Sequence, residues 1–359
     1  MKLMAGTWHL TSTGTTAPIP DPEIDPKAEA LAEDLAARLA KGDRRALARG
    51  ITLIESTRAD HRRAAAALVR RLHAAPRDAV RLGLSGTPGV GKSTFIESFG
   101  VRLADQGRKI AVLAVDPSSS RNGGSILGDK TRMEHLSRHP NAFIRPSPSG
   151  ATLGGVARRT REAILLCEAA GFDLVIVETV GVGQSETMVA DMTDIFLLLL
   201  APAGGDELQG VKRGIMEICD MIVVNKADGD LKATAQRTRA DYAGALHLLR
   251  KRGQDPEGFP KAIAVSALEE DGLEKAWEEI LTLDAFRREN GIRDHKRRQQ
   301  AVTWFRAEVE ERLLRRFRRT PEVAAIWPAL EQSVGEGDTA PQIAAAQALA
   351  AFGLTGDET

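Results

Sequence analysis

Eight consecutive residues, Gly86-Thr87-Pro88-Gly89-Val90-Gly91-Lys92-Ser93, fit the spacing G-x-x-x-x-G-K-S/T, and Thr94 follows directly. A segment of this kind handles phosphate. Its glycines let the main chain wrap so that successive N–H groups, and the amino terminus of the helix that follows, point at one anion. Gly86, Pro88, Gly89, Val90, Gly91 and Thr94 are the candidate cradle. Lys92 supplies a positive charge for the β and γ positions of a nucleotide, and Ser93 offers a hydroxyl to Mg²⁺. An apolar run precedes the segment and a helical pattern follows it, which is the context this chemistry requires.

Three further segments sit where apolar runs end. Asn225-Lys226-Ala227-Asp228 follows Ile222-Val223-Val224, and open α/β sheets bind ligands at the carboxyl ends of their strands. A carboxylate at Asp228 can accept two hydrogen bonds from the ring N–H and exocyclic amine of guanine, a donor pair that adenine lacks. The segment therefore predicts GTP over ATP, with Asn225 and Lys226 bracing the loop and covering the base. Ser266-Ala267-Leu268, at another strand end, can aim main-chain N–H groups at the guanine carbonyl, although a plain strand exit would read the same way. Glu178-Thr179-Val180-Gly181 closes the run Leu174 to Val177, where P-loop proteins place an acid near Mg²⁺ and a glycine N–H that senses the γ-phosphate. Glu178 and Gly181 are the candidates for those roles. Val182 stands after the glycine, where many small GTPases have glutamine, and its side chain cannot orient a water. Slow intrinsic hydrolysis is expected, with Gln184 or a partner-driven rearrangement supplying the missing function.

Positioning these segments is the work of a recurrent pattern. Short apolar runs at Val80 to Ser85, Ile110 to Asp116, Leu174 to Thr179, Ile195 to Leu200, Met221 to Asn225 and Ala262 to Ser266 alternate with helical stretches. The alternation predicts an α/β fold of the P-loop NTPase type, with a mostly parallel central sheet buried on both faces and flanked by helices. The stretch from Asp116 to Thr152, rich in Ser, Gly, Pro and Arg, reads as one long loop, either functional or disordered. Four regions are expected: a flexible tail over 1–24, a helical amino-terminal arm over 25–77, a nucleotide-binding domain over 78–290 and a helical carboxyl-terminal segment over 291–359. Leu31, Leu35 and Leu39 repeat at i,i+4 in the arm, and a helix break is expected at Thr320-Pro321.

Composition removes several classes of function. Apolar residues make up 43% and charged residues 27%, a soluble globular mix. Lys plus Arg equals Asp plus Glu at 49 each, which argues against a nucleic-acid coat or a basic membrane-surface protein. The Arg-rich segment from Arg293 to Arg319 is interleaved with Glu308, Glu310 and Glu311 and reads as a solvated helix face. Cys167 and Cys219 are too few and too far apart for a disulfide framework or a cysteine-held metal, and they fit a reducing compartment. The run from Ile195 to Ala203 is about half of the roughly 20 residues a spanning helix needs, and the first residues lack a secretory apolar stretch. A cytoplasmic protein with neither a membrane nor a nucleic-acid partner is expected.

Together these segments resemble the MeaB-type P-loop GTPases that chaperone adenosylcobalamin-dependent methylmalonyl-CoA mutase, over about Asp43 to Leu354. Besides the segments above, the resemblance is carried by Val115-Asp116-Pro117-Ser118-Ser119, Gly123 to Met133, Glu178 to Glu186 and Gly205-Asp206-Glu207-Leu208-Gln209-Gly210. It implies a GTPase using GTP/GDP and Mg²⁺, with Asp116 and Asp129 in a first switch as candidate Mg²⁺-site carboxylates beside Ser93 and Glu178. Turn chemistry is the alternative for Asp116 and Asp129. The second switch would lie around Glu178 to Glu186 and the third around Asp206 to Arg213, where Lys212 would couple partner binding to hydrolysis. Lys92, Glu178, Gln184 and Lys212 are the catalytic candidates. The implied partners are an acyl-CoA mutase, an adenosyltransferase and a second copy of the chain, paired through carboxyl-terminal helices. Trp304, Phe305, Val309, Leu313 and Phe317 fit such pairing and intramolecular packing equally. The chain lacks Asp-x-His-x-x-Gly, by which mutases hold cobalamin, so adenosylcobalamin is expected on the partner.

Two other functions compete. A nickel-insertion GTPase usually carries a His-rich or Cys-containing site, and here His135 and His139 are the only close histidine pair. A phosphotransferase linked to basic amino-acid transport requires ATP and an acceptor site, and Asp228 argues against the first.

Overall fold

The computed structural model describes residues 25–73, 78–115, 133–146, 153–179, 185–202, 213–248 and 255–354. In chain order the elements begin with α1 (Pro26–Leu39), α2 (Arg44–Glu55), α3 (Ala59–His73), β1 (Val80–Gly86), α4 (Lys92–Asp105), β2 (Ile110–Val115), α5 (Glu134–Arg138) and β3 (Ala142–Arg145). They continue with α6 (Leu153–Ala169), β4 (Leu174–Thr179), α7 (Ser185–Ala190), β5 (Ile195–Leu200), α8 (Arg213–Ile218), β6 (Met221–Val224), α9 (Lys232–Leu248) and β7 (Lys261–Ala264). Last come α10 (Leu273–Glu289), α11 (Ile292–Arg319), α12 (Pro321–Glu336) and α13 (Pro341–Ala351).

The strands pair in parallel in the order β3-β2-β4-β1-β5-β6-β7. Because side chains alternate between faces along a strand, each apolar run feeds two cores. Leu82, Leu84, Val112, Ile176 and Leu197 pack with Phe95, Phe99 and Trp277 of α4 and α10. Leu113, Val115, Val175, Val177 and Leu198 face the other way, toward α1 to α3 and α6. Burial on both faces explains why these strands are continuously apolar instead of alternating with polar residues.

The stretch from Asp116 to Thr152 is not loop throughout, since it contains α5 and the edge strand β3. β3 has only four residues and pairs with β2 alone, so its apolar signal is short. Its position is secured by tertiary contacts, among them a bidentate pair from Arg145 to Glu55 of α2. Two strands also end earlier than expected, β6 at Val224 and β7 at Ala264.

The amino-terminal helices follow their sequence signals. Asp25 and Asp43 cap α1 and α2, each accepting from two main-chain N–H groups. Leu35, Leu39, Leu47, Ile51, Ile54 and Leu68 are buried. Gly50 allows α2 to approach α6 closely, because a Cβ there would lie 2.6 Å from Leu166 Cδ2.

Helix α11 is riveted to the amino ends of the strands. Arg297 donates to both oxygens of the buried Asp194, at 2.8 and 2.6 Å, and Lys296 and Gln300 reach the carbonyls of Asp194 and Thr193. Arg287 on α10 pairs with buried Asp220 and Asp255 at 2.6 and 2.7 Å. Beyond Gln300 one face of the helix is bare, with Phe305, Leu313 and Leu314 69%, 54% and 58% exposed, while Trp304 on the other face packs against the core. Thr320-Pro321 ends α11 as its sequence predicts. Phe317 then packs edge-on against Trp327 and Phe352, so that part of the aromatic stripe serves intramolecular packing.

Candidate nucleotide-binding site

The glycine-rich segment leaves the central strand β1 and enters α4, so the amino end of a 14-residue helix faces the loop. Two of its glycines are required by geometry. A Cβ on Gly86 would lie 2.5 Å from the Leu199 carbonyl oxygen, and one on Gly91, at φ +90°, would lie 2.7 Å from Asn225 Nδ2. At Gly89 nothing stands within 4 Å, so the outer side of the loop is open. Val90 is buried and pins the loop to the body, while Pro88 is exposed. Lys92 Nζ folds back over the loop and donates to the carbonyls of Gly86 and Thr87, at 2.6 and 3.3 Å. Burial lowers the Lys92 pKa, against the opposing pull of the Glu178 and Glu186 carboxylates. Both acids thus favour its charged form. Ser93 and Thr94 lie in the first turn of α4, half-buried and exposed respectively.

Glu178, in register with Leu84 of β1 and Ala114 of β2, is buried near the carboxyl end of β4. Next to it the Thr179 and Ser85 hydroxyls are 2.9 Å apart, tying β4 to β1 below the loop. Glu186 on α7 is buried as well, and sequence reasoning gave it no individual role. Its only sequence signal is membership of the second-switch segment. Asp116, Asp129, Gly181, Gln184 and Lys212 lie outside the described residues.

The expected base-recognition segments converge on the same edge of the sheet. Asn225 Nδ2 donates to the Val90 carbonyl at 3.1 Å, and its Oδ1 accepts from Ala267 N–H at 3.0 Å. One buried amide therefore joins the phosphate loop to the loop after β7. Lys226, at φ +59°, reaches across to the Gly89 carbonyl at 2.8 Å. The Ser266 hydroxyl donates to Asp228 Oδ2 and accepts from Glu269 N–H at 3.0 Å, orienting the carboxylate. Ser98 of α4 adds a 2.7 Å bond to the Ala267 carbonyl, a link with no signature in the sequence.

The roles expected within Ser266-Ala267-Leu268 change. Ser266 N–H bonds the Asp271 carbonyl and Ala267 N–H bonds Asn225, so neither is available to a base. Ser266 acts through its hydroxyl instead. Leu268 N–H is the one of the three without a hydrogen bond among the described residues, and its side chain is 78% exposed. These two donors are occupied by acceptors of the protein itself, which a strand-exit pattern does not reveal.

The donor set is suited to a phosphate ester with a hard cation. A cradle that a Cβ would fill, a lysine beside it, and the Ser93 hydroxyl with the Glu178 carboxylate as oxygen donors match a nucleotide and Mg²⁺. His139 has a structural use, its ring accepting from Asn141 N–H at 3.0 Å and lying 3.2 Å from Asp105. No helix among the described residues is long and apolar enough to cross a membrane.

The family model described as "Methylmalonyl Co-A mutase-associated GTPase MeaB" matches residues 47–322. This chain belongs to the MeaB family. A protein of Caulobacter vibrioides named as a GTPase is 56% identical over 322 residues, covering 90% of this chain and 98% of that protein. The mouse "Methylmalonic aciduria type A homolog, mitochondrial" is 46% identical over 339 residues, covering 92% of this chain and 81% of its own. Among solved structures, that of an LAO/AO transport system kinase superposes with a TM-score of 0.69 at 38% identity, covering 91% of this chain and 99% of that one. Membership of the MeaB GTPases accounts for the parallel sheet with its phosphate loop at the central strand and for guanine-nucleotide chemistry.

Proposed function

We propose that this chain is a GTP-hydrolysing chaperone of an adenosylcobalamin-dependent acyl-CoA mutase, most plainly methylmalonyl-CoA mutase, whose cofactor loading it gates through nucleotide-ordered switch loops. The observation that carries the nucleotide part is the Asn225 amide, which makes the phosphate loop and the Asp228–Ser266 pair one rigid unit. Membership of the MeaB family supports the mutase part.

In this reading the main-chain N–H groups from Gly86 to Thr94 and the α4 amino end hold the phosphates, with Pro88 and Val90 shaping the loop. Lys92 exchanges its loop carbonyls for phosphate oxygens. Asp228, held by Ser266, accepts the guanine donors; Lys226 and Leu268 border the base; and Leu268 N–H faces the guanine carbonyl. Ser93 and Glu178, with Asp116 and Asp129, hold Mg²⁺, which when bound neutralises charge on the phosphates. Gly181 senses the γ-phosphate, Gln184 orients water, and Lys212 transmits partner binding. With no glutamine after Gly181, intrinsic hydrolysis is slow until a partner completes the site. Adenosylcobalamin stays on the mutase, an adenosyltransferase joins the same traffic, and the exposed face of α11 pairs two copies of the chain.

The test is phosphate release from GTP and from ATP, with and without a purified adenosylcobalamin-dependent acyl-CoA mutase from the same source. Slow, GTP-selective turnover that the mutase accelerates is expected. ATP preference with transfer to an acceptor would favour a phosphotransferase, the activity named for the solved relative, and would sink the chaperone reading. Changing Asp228 to Asn should weaken GTP binding by about tenfold or more, since a carboxylate paired with two donors is lost.

A further inference from the structure

Helices α3, α6 and α11 line a solvent-open cavity of about 700 Å³, none of whose lining residues belongs to the nucleotide site. Arg62, Arg158 and Arg312 enter it from the three helices in turn. Arg158 donates to Glu162 at 3.1 Å, yet two donors of this cluster are left over. Arg62 is half-buried and has no carboxylate partner among the described residues. The charges that act on it are those of Arg315, Arg158, Arg319 and Arg312, which, after burial, oppose its protonated state. The Arg158 Nε–H is sealed from solvent without a hydrogen-bond acceptor, the Glu308 and Glu311 oxygens standing 3.9 Å away.

Counter-charge in the cavity is short for Arg62. Glu162 and Glu308, the carboxylates that line it, are engaged by Arg158 and Arg312, and burial pushes the Glu162 carboxyl up toward its neutral form. A half-buried guanidinium among like charges is costly unless an anion joins it. One wall is apolar, contributed by Ile54, Ala66 and Val69, while Arg63 and Arg70 at the rim are paired with Asp25 and Glu29.

From these contacts we propose that this cavity binds a small phosphate-bearing organic anion, at a second site distinct from the GTPase centre. Guanidinium groups arriving from three directions suit the several oxygens of a phosphate monoester, each accepting a charge-assisted bond. The apolar wall suits an organic body, and the volume lies in the range of small-molecule sites. Inorganic phosphate shares the anionic part of that chemistry, so the test separates the two sources.

The test is calorimetric titration of the full-length protein, saturated with GDP and Mg²⁺, with uridine monophosphate, inorganic phosphate and uridine in parallel, while bound GDP is monitored. Uridine monophosphate should bind without releasing GDP, inorganic phosphate more weakly, and uridine not at all. Arg62→Gln should weaken uridine monophosphate binding by about tenfold or more, the worth of a charge-assisted hydrogen bond. Arg312→Gln, at a side chain 71% exposed and therefore safe for folding, should do so in the same direction. No binding at millimolar concentration, release of GDP, or affinity unchanged in both variants would overturn the proposal. Equal affinity for inorganic phosphate would overturn its organic part.

Discussion

Asn225→Ala tests the central geometric claim about the nucleotide site. The side chain is 2% exposed and spans two buried main-chain groups, the Val90 carbonyl and the Ala267 N–H, at 3.1 and 3.0 Å. Truncation removes both bonds and leaves a buried donor and a buried acceptor unpaired, each at roughly 1–3 kcal/mol. Some relaxation toward water is available at a loop, so a net loss of about 2–4 kcal/mol is expected. That is within the roughly 5–15 kcal/mol a domain holds, and the variant should remain folded. GDP affinity should fall by about tenfold to a hundredfold, because phosphate loop and base loop would no longer share one position. Urea denaturation at fixed GDP, with parallel titration calorimetry, measures both quantities. Asn225→Asp separates the two bonds: it retains the acceptor for Ala267 and sets a carboxylate against the Val90 carbonyl, so it should also lose affinity. Stability within about 0.5 kcal/mol of the parent and unchanged GDP affinity in Asn225→Ala would refute the brace.

Three other perturbations test separate parts of the structure. Gly91→Ala places a Cβ 2.7 Å from Asn225 Nδ2 at φ +90°, so stability should drop by about 1–3 kcal/mol in thermal unfolding, together with GDP binding. Arg297→Met strands the buried Asp194 carboxylate and should cost about 3–5 kcal/mol in urea at neutral pH. Burial raises the Asp194 pKa, but hydrogen bonding and charge from Arg297 prevail and hold it below its ordinary 3.8. The parent should therefore keep this stability above about pH 4 and lose it as pH falls further, whereas the variant should unfold at a higher pH in an acid titration. Phe305→Glu, at a side chain 69% exposed on α11, should abolish the proposed pairing of two chains in light scattering and leave GDP affinity intact; pairing that persists would remove this face from the proposal.

Much of the candidate site can be read locally, because its signals are local. A phosphate loop is a strand, a glycine-rich turn and a helix in immediate succession, and Gly86 to Ser93 carry all three on adjacent residues. The same holds for Asp228, placed by four residues of apolar strand just before its segment. β3 is illegible in the sequence because five residues between Pro140 and Pro146 carry too little periodicity, and four of them become a strand by pairing with β2. The N–H groups of Ser266 and Ala267 are closed to a base for a related reason, since the Asp271 carbonyl and the distant Asn225 side chain satisfy them.

The sequence by itself determined the fold class, the family and the order of the chemical segments, since apolar period and glycine spacing act over a few neighbouring residues. Tertiary structure alone decided that β1 lies between β4 and β5 and that the carboxyl edge gathers the ends of β4, β6 and β7 around the loop. It also decided which partners complete the site: Asn225 with Val90 across 135 residues and Asp228 with Ser266 across 38. The arginine cavity belongs to the same class, since Arg62, Arg158 and Arg312 meet only where three helices pack. Contacts of this kind depend on how separate elements close on one another, a free energy that no local pattern encodes.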